Sequence, residues 1–162
     1  MRHLLTLNSV PAGIASAFGS SGVPEKYREY HISKTQMAKG TGFTQATRDQ
    51  LNQLVQPDET SDLRYAGNST TSLSEQPRTY FQVDGMDPLR DDGLIYDEML
   101  KEAGIETKLD LYPGCPHGHA SSFPGLEITN RANIDTIVGV RWLLGKTVSR
   151  QDAADALGVN LA

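Results

Sequence analysis

The clearest patterning in the chain begins at residue 79. Thr79, Phe81 and Val83 alternate with Tyr80 and Gln82 before Gly85, the two-residue period of a strand. Beyond Pro88, Tyr96, Met99, Leu100 and Ala103 recur at i, i+3, i+4 and i+7 and stop at Gly104, a helical stripe closed by a glycine. Leu109 and Leu111 then alternate with Lys108 and Asp110 over 107–112 up to Pro113-Gly114, and Ile134, Ile137, Val138 and Leu144 mark a last long helix. The order strand, helix, strand, loop, helix predicts a parallel α/β sheet. In such sheets functional groups gather in the loops beyond the carboxyl ends of the strands.

The remaining segments are less patterned. Leu4 to Leu7 reads as a strand, followed through Gly22 by a loop of small residues. Pro24 takes a first helical position and opens a short turn. Phe43, Thr47, Leu51, Leu54 and Val55 follow a helical period from Thr44 onward, and 57–77 reads as loop. Ser149 caps a short terminal helix; the segment resembles the first half of a helix-turn-helix, but no second helix follows to enter a groove.

Composition narrows the function classes. The 162 residues are 38% apolar, consistent with one soluble domain of ordinary size. Lys and Arg number 15 against 20 Asp and Glu, a net charge of −5, so there is no global source of attraction to a phosphate backbone and nucleic acid is not expected as a partner. Cys115, the one cysteine, cannot close an intramolecular disulfide. No apolar run is long enough to span a membrane. Arg2, the run Leu4 to Val10 and Ala15-Ser16-Ala17 sketch a signal peptide, but Asn8, Ser9 and Pro11 interrupt its apolar core, and the expected location is cytoplasmic.

Candidate chemistry lies at the two strand ends. Asp84-Gly85-Met86-Asp87 follows the first strand and Pro113-Gly114-Cys115-Pro116-His117-Gly118-His119 the second. A carboxylate in one loop and an imidazole in the next can meet as the acid–base pair of nucleophilic catalysis, which makes Asp87 and His117 the candidate catalytic residues. Equally, Asp87 could cap the following helix while His117 is an ordinary loop histidine, and spacing leaves both open. Cys115, His117 and His119 offer three metal ligands without an evident fourth, so no metal is expected. Asp91 and Asp92 read as helix-start residues favoured by the helix dipole.

Tyr80 to Gly93, with its Asp87-Pro88-Leu89-Arg90-Asp91 core, then Leu111-Tyr112-Pro113-Gly114 and Pro116-His117-Gly118, resemble the C-terminal half of α/β-hydrolase-fold esterases of the hormone-sensitive-lipase-like branch, especially fungal ones. The resemblance extends over about residues 20 to 146, through Val23-Pro24-Glu25-Lys26-Tyr27 and Val140-Arg141-Trp142-Leu143-Leu144, and Leu4 to Val10 is similar to an earlier sheet strand of the family. It implies that Asp87 and His117 are the acid and base of a Ser-Asp-His triad, in the expected chain order. It also exposes a departure: neither a Gly-x-Ser-x-Gly elbow nor a His-Gly-Gly oxyanion loop occurs, and Gly19-Ser20-Ser21-Gly22-Val23 does not fit the elbow. The family has an aromatic residue where His119 stands.

The expectation is a partial, C-terminal α/β-hydrolase fold over 1–146 with mostly parallel strands alternating with helices, and a short helical tail over 147–162. Missing strands would leave a sheet edge for a homo-oligomer or a complementing chain. The resemblance implies a carboxylic-ester hydrolase for small esters, possessing acid and base but lacking the serine, without cofactor, and of the kind that serves secondary-metabolite biosynthesis. The rival is an inactive pseudoenzyme that binds an acyl ligand or a protein.

Overall fold

The computed structural model describes residues 16–19, 22–40, 43–62 and 64–160. The strand expected at Leu4 to Leu7 lies outside them. In chain order come a 3-10 turn at Glu25–Tyr30, α1 (Ser33–Gln36), α2 (Gln45–Val55), two further 3-10 turns, β1 (Thr79–Asp84), α3 (Arg90–Glu102), β2 (Thr107–Tyr112), α4 (His119–Ser122), α5 (Glu127–Leu143) and α6 (Arg150–Leu157). β1 and β2 pair in parallel from Thr79 opposite Thr107 to Asp84 opposite Tyr112, with α3 as the crossover between them. Helix α3 ends through the predicted glycine: Gly104 adopts φ +81°, its N–H reaches the Lys101 carbonyl, and Ile105 N–H returns to Leu100.

The side-chain alternation of β1 faces two helices. Phe81 meets the Tyr96 ring edge-on and Val83 lies over Gly93, both on α3. Tyr80 instead lies on Gly139 of α5, and Gln82 donates to the Ala132 carbonyl while Thr136 donates to its side-chain oxygen. Both faces are therefore occupied, as parallel strands require. The positions that read as the polar set are hydrogen-bonded: the Tyr80 hydroxyl donates to Asp110 of β2, and that of Tyr112 to buried Asp135 of α5. Asp135 also pairs with Arg150, while Ala153 and Ala154 are fully buried in a cluster with Ile134, so α6 packs on α5. Gly139 permits the close approach at Tyr80, since a Cβ there would fall inside the ring. Gly139→Ala should therefore cost about 1–3 kcal/mol by overpacking, read as a lower midpoint in urea unfolding.

Helix α2 and the irregular 57–77 segment lie where expected, with packing that the periodicity does not reveal. Helix α2 forms where predicted, with the Thr44 hydroxyl accepting from Thr47 N–H, but its stripe does not enter a core among the described residues: Leu54 is 80% exposed and Val55 57%. Phe43, counted as the first residue of that stripe, precedes the helix and is buried elsewhere. The 57–77 segment is irregular but packed: Tyr65 is buried, Gly67 N–H donates to the Ala17 carbonyl, and Gly67 abuts the Phe18 ring.

Candidate active site

The loop after β1 and the loop after β2 are laced together by backbone bonds. Gly85 N–H donates to Tyr112 and Met86 N–H to Cys115, each at 2.9 Å. A Cβ on Gly85 would sit 3.0 Å from Pro113 Cα, so only glycine allows the loops to lie this close. Asp87 and His117, one on each loop, are brought together: His117 Nδ1 is 2.6 Å from Asp87 Oδ2. An ionised carboxylate only accepts, so Nδ1 carries the proton and the neutral ring leaves Nε2 as its basic atom. The other oxygen, Asp87 Oδ1, accepts from Leu89 N–H at 2.8 Å and organises the turn into α3. Asp87 thus meets His117 through one oxygen and the turn before α3 through the other, while the N-cap of α3 itself, Leu89, takes no side-chain hydrogen bond.

The hydrogen bond to Asp87 is the main reason the His117 imidazole holds its proton above the ordinary 6.5; half-burial opposes this, and the charges of Asp87 and Asp84 add to it. The Phe43 ring lies 4.7 Å from the imidazole, centre to centre, and limits its tilt. Phe43 was missed as a site residue because an apolar residue before a helix cap also fits the helical period. Among the described residues no serine hydroxyl is hydrogen-bonded to His117. A pocket of about 270 Å³ lined by Tyr27, Tyr30 and Ile95, among others, includes neither His117 nor Asp87.

The rest of the Asp-Pro-Leu-Arg-Asp-Asp segment fixes the Asp87 turn from behind. The buried Ser33 hydroxyl donates to Pro88 O at 2.8 Å and accepts from Asp91 N–H. Asp91 Oδ2 accepts from the backbone N–H of Ile32 and Ser33 at 2.7 and 2.6 Å, and Arg90 spans Gly85 O, Asp91 and Gln36. Asp92, 1% exposed, is bound by Ser16, Ala17 N–H, His31 and Lys34. Burial alone would raise both carboxyls, but these partners outweigh it and hold Asp91 and Asp92 below the usual carboxylate value. They are first-turn residues of α3, as read from sequence, and also anchors for the 31–34 strap.

The Cys-x-His-x-His triplet is separated. Cys115 packs with Tyr112 and Ala132, and its thiol is pushed up by burial and by Asp84, the reverse of an activated thiolate. His119 turns onto Asp84, with Nδ1 2.6 Å from Oδ1. No group of three or more metal-ligating side chains forms among the described residues.

Comparison with known proteins adds the family. The alpha/beta hydrolase fold matches residues 7–121. An AB hydrolase superfamily protein of Schizosaccharomyces pombe is 39% identical over 82 residues, 51% of this chain and 24% of that protein. Versiconal hemiacetal acetate esterase of Dothistroma septosporum is 39% identical over 70 residues, 43% of this chain and 21% of that protein. The crystal structure of vibralactone cyclase superposes with a TM-score of 0.73 at 29% identity, over 83% of this chain and 39% of that one. The chain thus spans about a quarter of the length of these curated relatives and two fifths of the solved structure.

Proposed function

Because the chain belongs to the α/β-hydrolase fold family, which it shares with esterases, we propose that Asp87 and His117 form the acid–base pair of a carboxylic-ester hydrolase centre acting on small esters. The 2.6 Å contact between the two loops carries the proposal. In it, His117 Nε2 takes the proton of a serine hydroxyl as the oxygen attacks the ester carbonyl, then returns that proton to the leaving alkoxide. A water activated in the same way releases the acid and restores the serine. Asp87 holds the Nδ1–H tautomer and stabilises the imidazolium between the two transfers. The serine and its oxyanion donors come from outside the described residues, in the same polypeptide or another chain.

Relatives named for a versiconal hemiacetal acetate and for vibralactone support a place in secondary-metabolite biosynthesis. Among the described residues β1 and β2 pair only with each other, so each presents an edge on which a second copy or complementing chain belongs in this proposal. No described helix is long and apolar enough to cross a membrane.

One observation favours a second reading. No Gly-x-Ser-x-Gly occurs in the sequence, which suits a catalytically inactive chain that binds an acyl ligand or a protein partner. A panel of p-nitrophenyl acetate, butyrate and octanoate with the purified chain and Asp87→Asn separates the two. Hydrolysis fastest on the short esters and lost in the variant supports the esterase reading. Buffer-level rates for both proteins on all three esters contradict ester hydrolysis by this chain on its own and leave the inactive reading or a serine supplied by another chain.

A further inference from the structure

A second carboxylate–imidazole pair lies behind the first. Asp84 Oδ1 binds His119 Nδ1 at 2.6 Å, and Oδ2 takes the backbone N–H of the same residue at 3.4 Å. The carboxylate ending β1 therefore grips the first residue of α4, immediately beyond the turn that carries His117. His119 is 4% exposed, its ring lies 5.1 Å from that of Tyr112, and its Nε2 is buried without a hydrogen-bond partner. An unpartnered buried polar atom of this kind costs about 1–3 kcal/mol. A phenyl ring would fill the space without that cost. What a phenyl ring cannot do is hold the Asp84 carboxylate.

We infer that Asp84 and His119 are a positioning pair, which fixes the His117 turn against the end of β1 and maintains a second negative charge beside the Asp87–His117 pair. The inference rests on the reading of Asp87 and His117 as acid and base. Burial raises Asp84 above the usual carboxylate value, while the charge and hydrogen bonds of His119 oppose that rise and favour its ionised form. Asp84 in turn adds to the proton affinity of His117. The other titratable and charged groups facing these residues are Asp87, the Cys115 thiol, the Tyr112 phenol, and Arg131 of α5 over the Tyr112 ring; Phe43, against His117, carries no charge. The negative charge of Asp84 is therefore felt at His117, across the turn that His119 anchors.

The test is an NMR titration of the full chain labelled at histidine, in wild type, Asp84→Asn, His119→Phe and Asp87→Asn. With Asp84→Asn the His117 midpoint should move to lower pH, because a nearby negative charge is gone while the amide still fills the space. With His119→Phe, which keeps the packing, the midpoint should also move from its wild-type position. A folded Asp84→Asn chain with an unmoved His117 midpoint would overturn the inference. Should Asp84→Asn fail to fold, a wild-type His117 titration in His119→Phe would overturn it instead. Asp87→Asn keeps the two claims apart: a midpoint that falls there but not in the other variants removes the positioning pair alone, whereas an unmoved midpoint in Asp87→Asn removes the acid–base reading beneath it.

Discussion

Replacing His117 by alanine is expected to lower kcat/KM for a short p-nitrophenyl ester by about 10²–10⁴-fold, the usual worth of a positioned general acid–base group. The direction with pH follows from the chemistry. Only the neutral imidazole can accept a proton, and the hydrogen bond to Asp87 keeps His117 protonated to a pH above the ordinary 6.5. Wild-type hydrolysis should therefore climb on the alkaline side of 6.5 and level off once His117 is neutral, while the His117→Ala chain shows no such limb. Steady-state rates across that range, corrected for the buffer, check both points. A climbing limb that survives in His117→Ala would assign the titration to another group.

Asp92→Ala should destabilise the fold by about 3–5 kcal/mol, the range for removing one partner of a buried charged network. Asp92 is 1% exposed, and its carboxylate gathers Ser16, Ala17 N–H, His31 and Lys34. Alanine would leave these groups without their shared carboxylate and remove one of the two α3 carboxylates that hold the strap, Asp91 still binding Ile32 and Ser33. For a domain of this size the loss amounts to roughly 10 °C in melting temperature. The acid limb follows from the same groups. Asp91 and Asp92 are held below the usual 3.8, so the stability they contribute is complete above that value and disappears as the pH falls through their lower folded-state values. Thermal melting followed by circular dichroism at neutral pH tests the first statement, and an acid titration at constant temperature the second.

The middle of the fold could be read from the chain alone. The alternation from Thr79 to Val83, the stripe ending at Gly104 and the leucines at 109 and 111 are local signals, and β1, α3 and β2 follow them to within a residue or two. The meeting of Asp87 and His117 was legible for a related reason: parallel strands joined by a crossover helix put their carboxyl-end loops side by side. Contacts between distant segments carried no such signal. Nothing near Phe43 indicates that its ring lies on His117, and nothing in Asp91-Asp92 beyond helix-start chemistry indicates a strap from residues 31–34. The exposed stripe of α2 shows the converse, since periodicity describes an amphipathic helix without saying what covers it. The Asp84–His119 pair stayed hidden because an Asp at a strand end and a His in a Cys-x-His-x-His string each fit a commoner explanation. Geometry alone distinguishes a metal-binding triplet from two side chains turned to different carboxylates.

The measurement that tests the central claim most directly is the titration of the His117 ring by NMR in the wild-type chain and in Asp87→Asn. Hydrogen-bonded to Asp87, His117 should titrate above 6.5 in the wild type and at distinctly lower pH in the variant. An identical midpoint in both proteins would mean that Asp87 does not hold His117 in solution, and the acid–base pair would be contradicted.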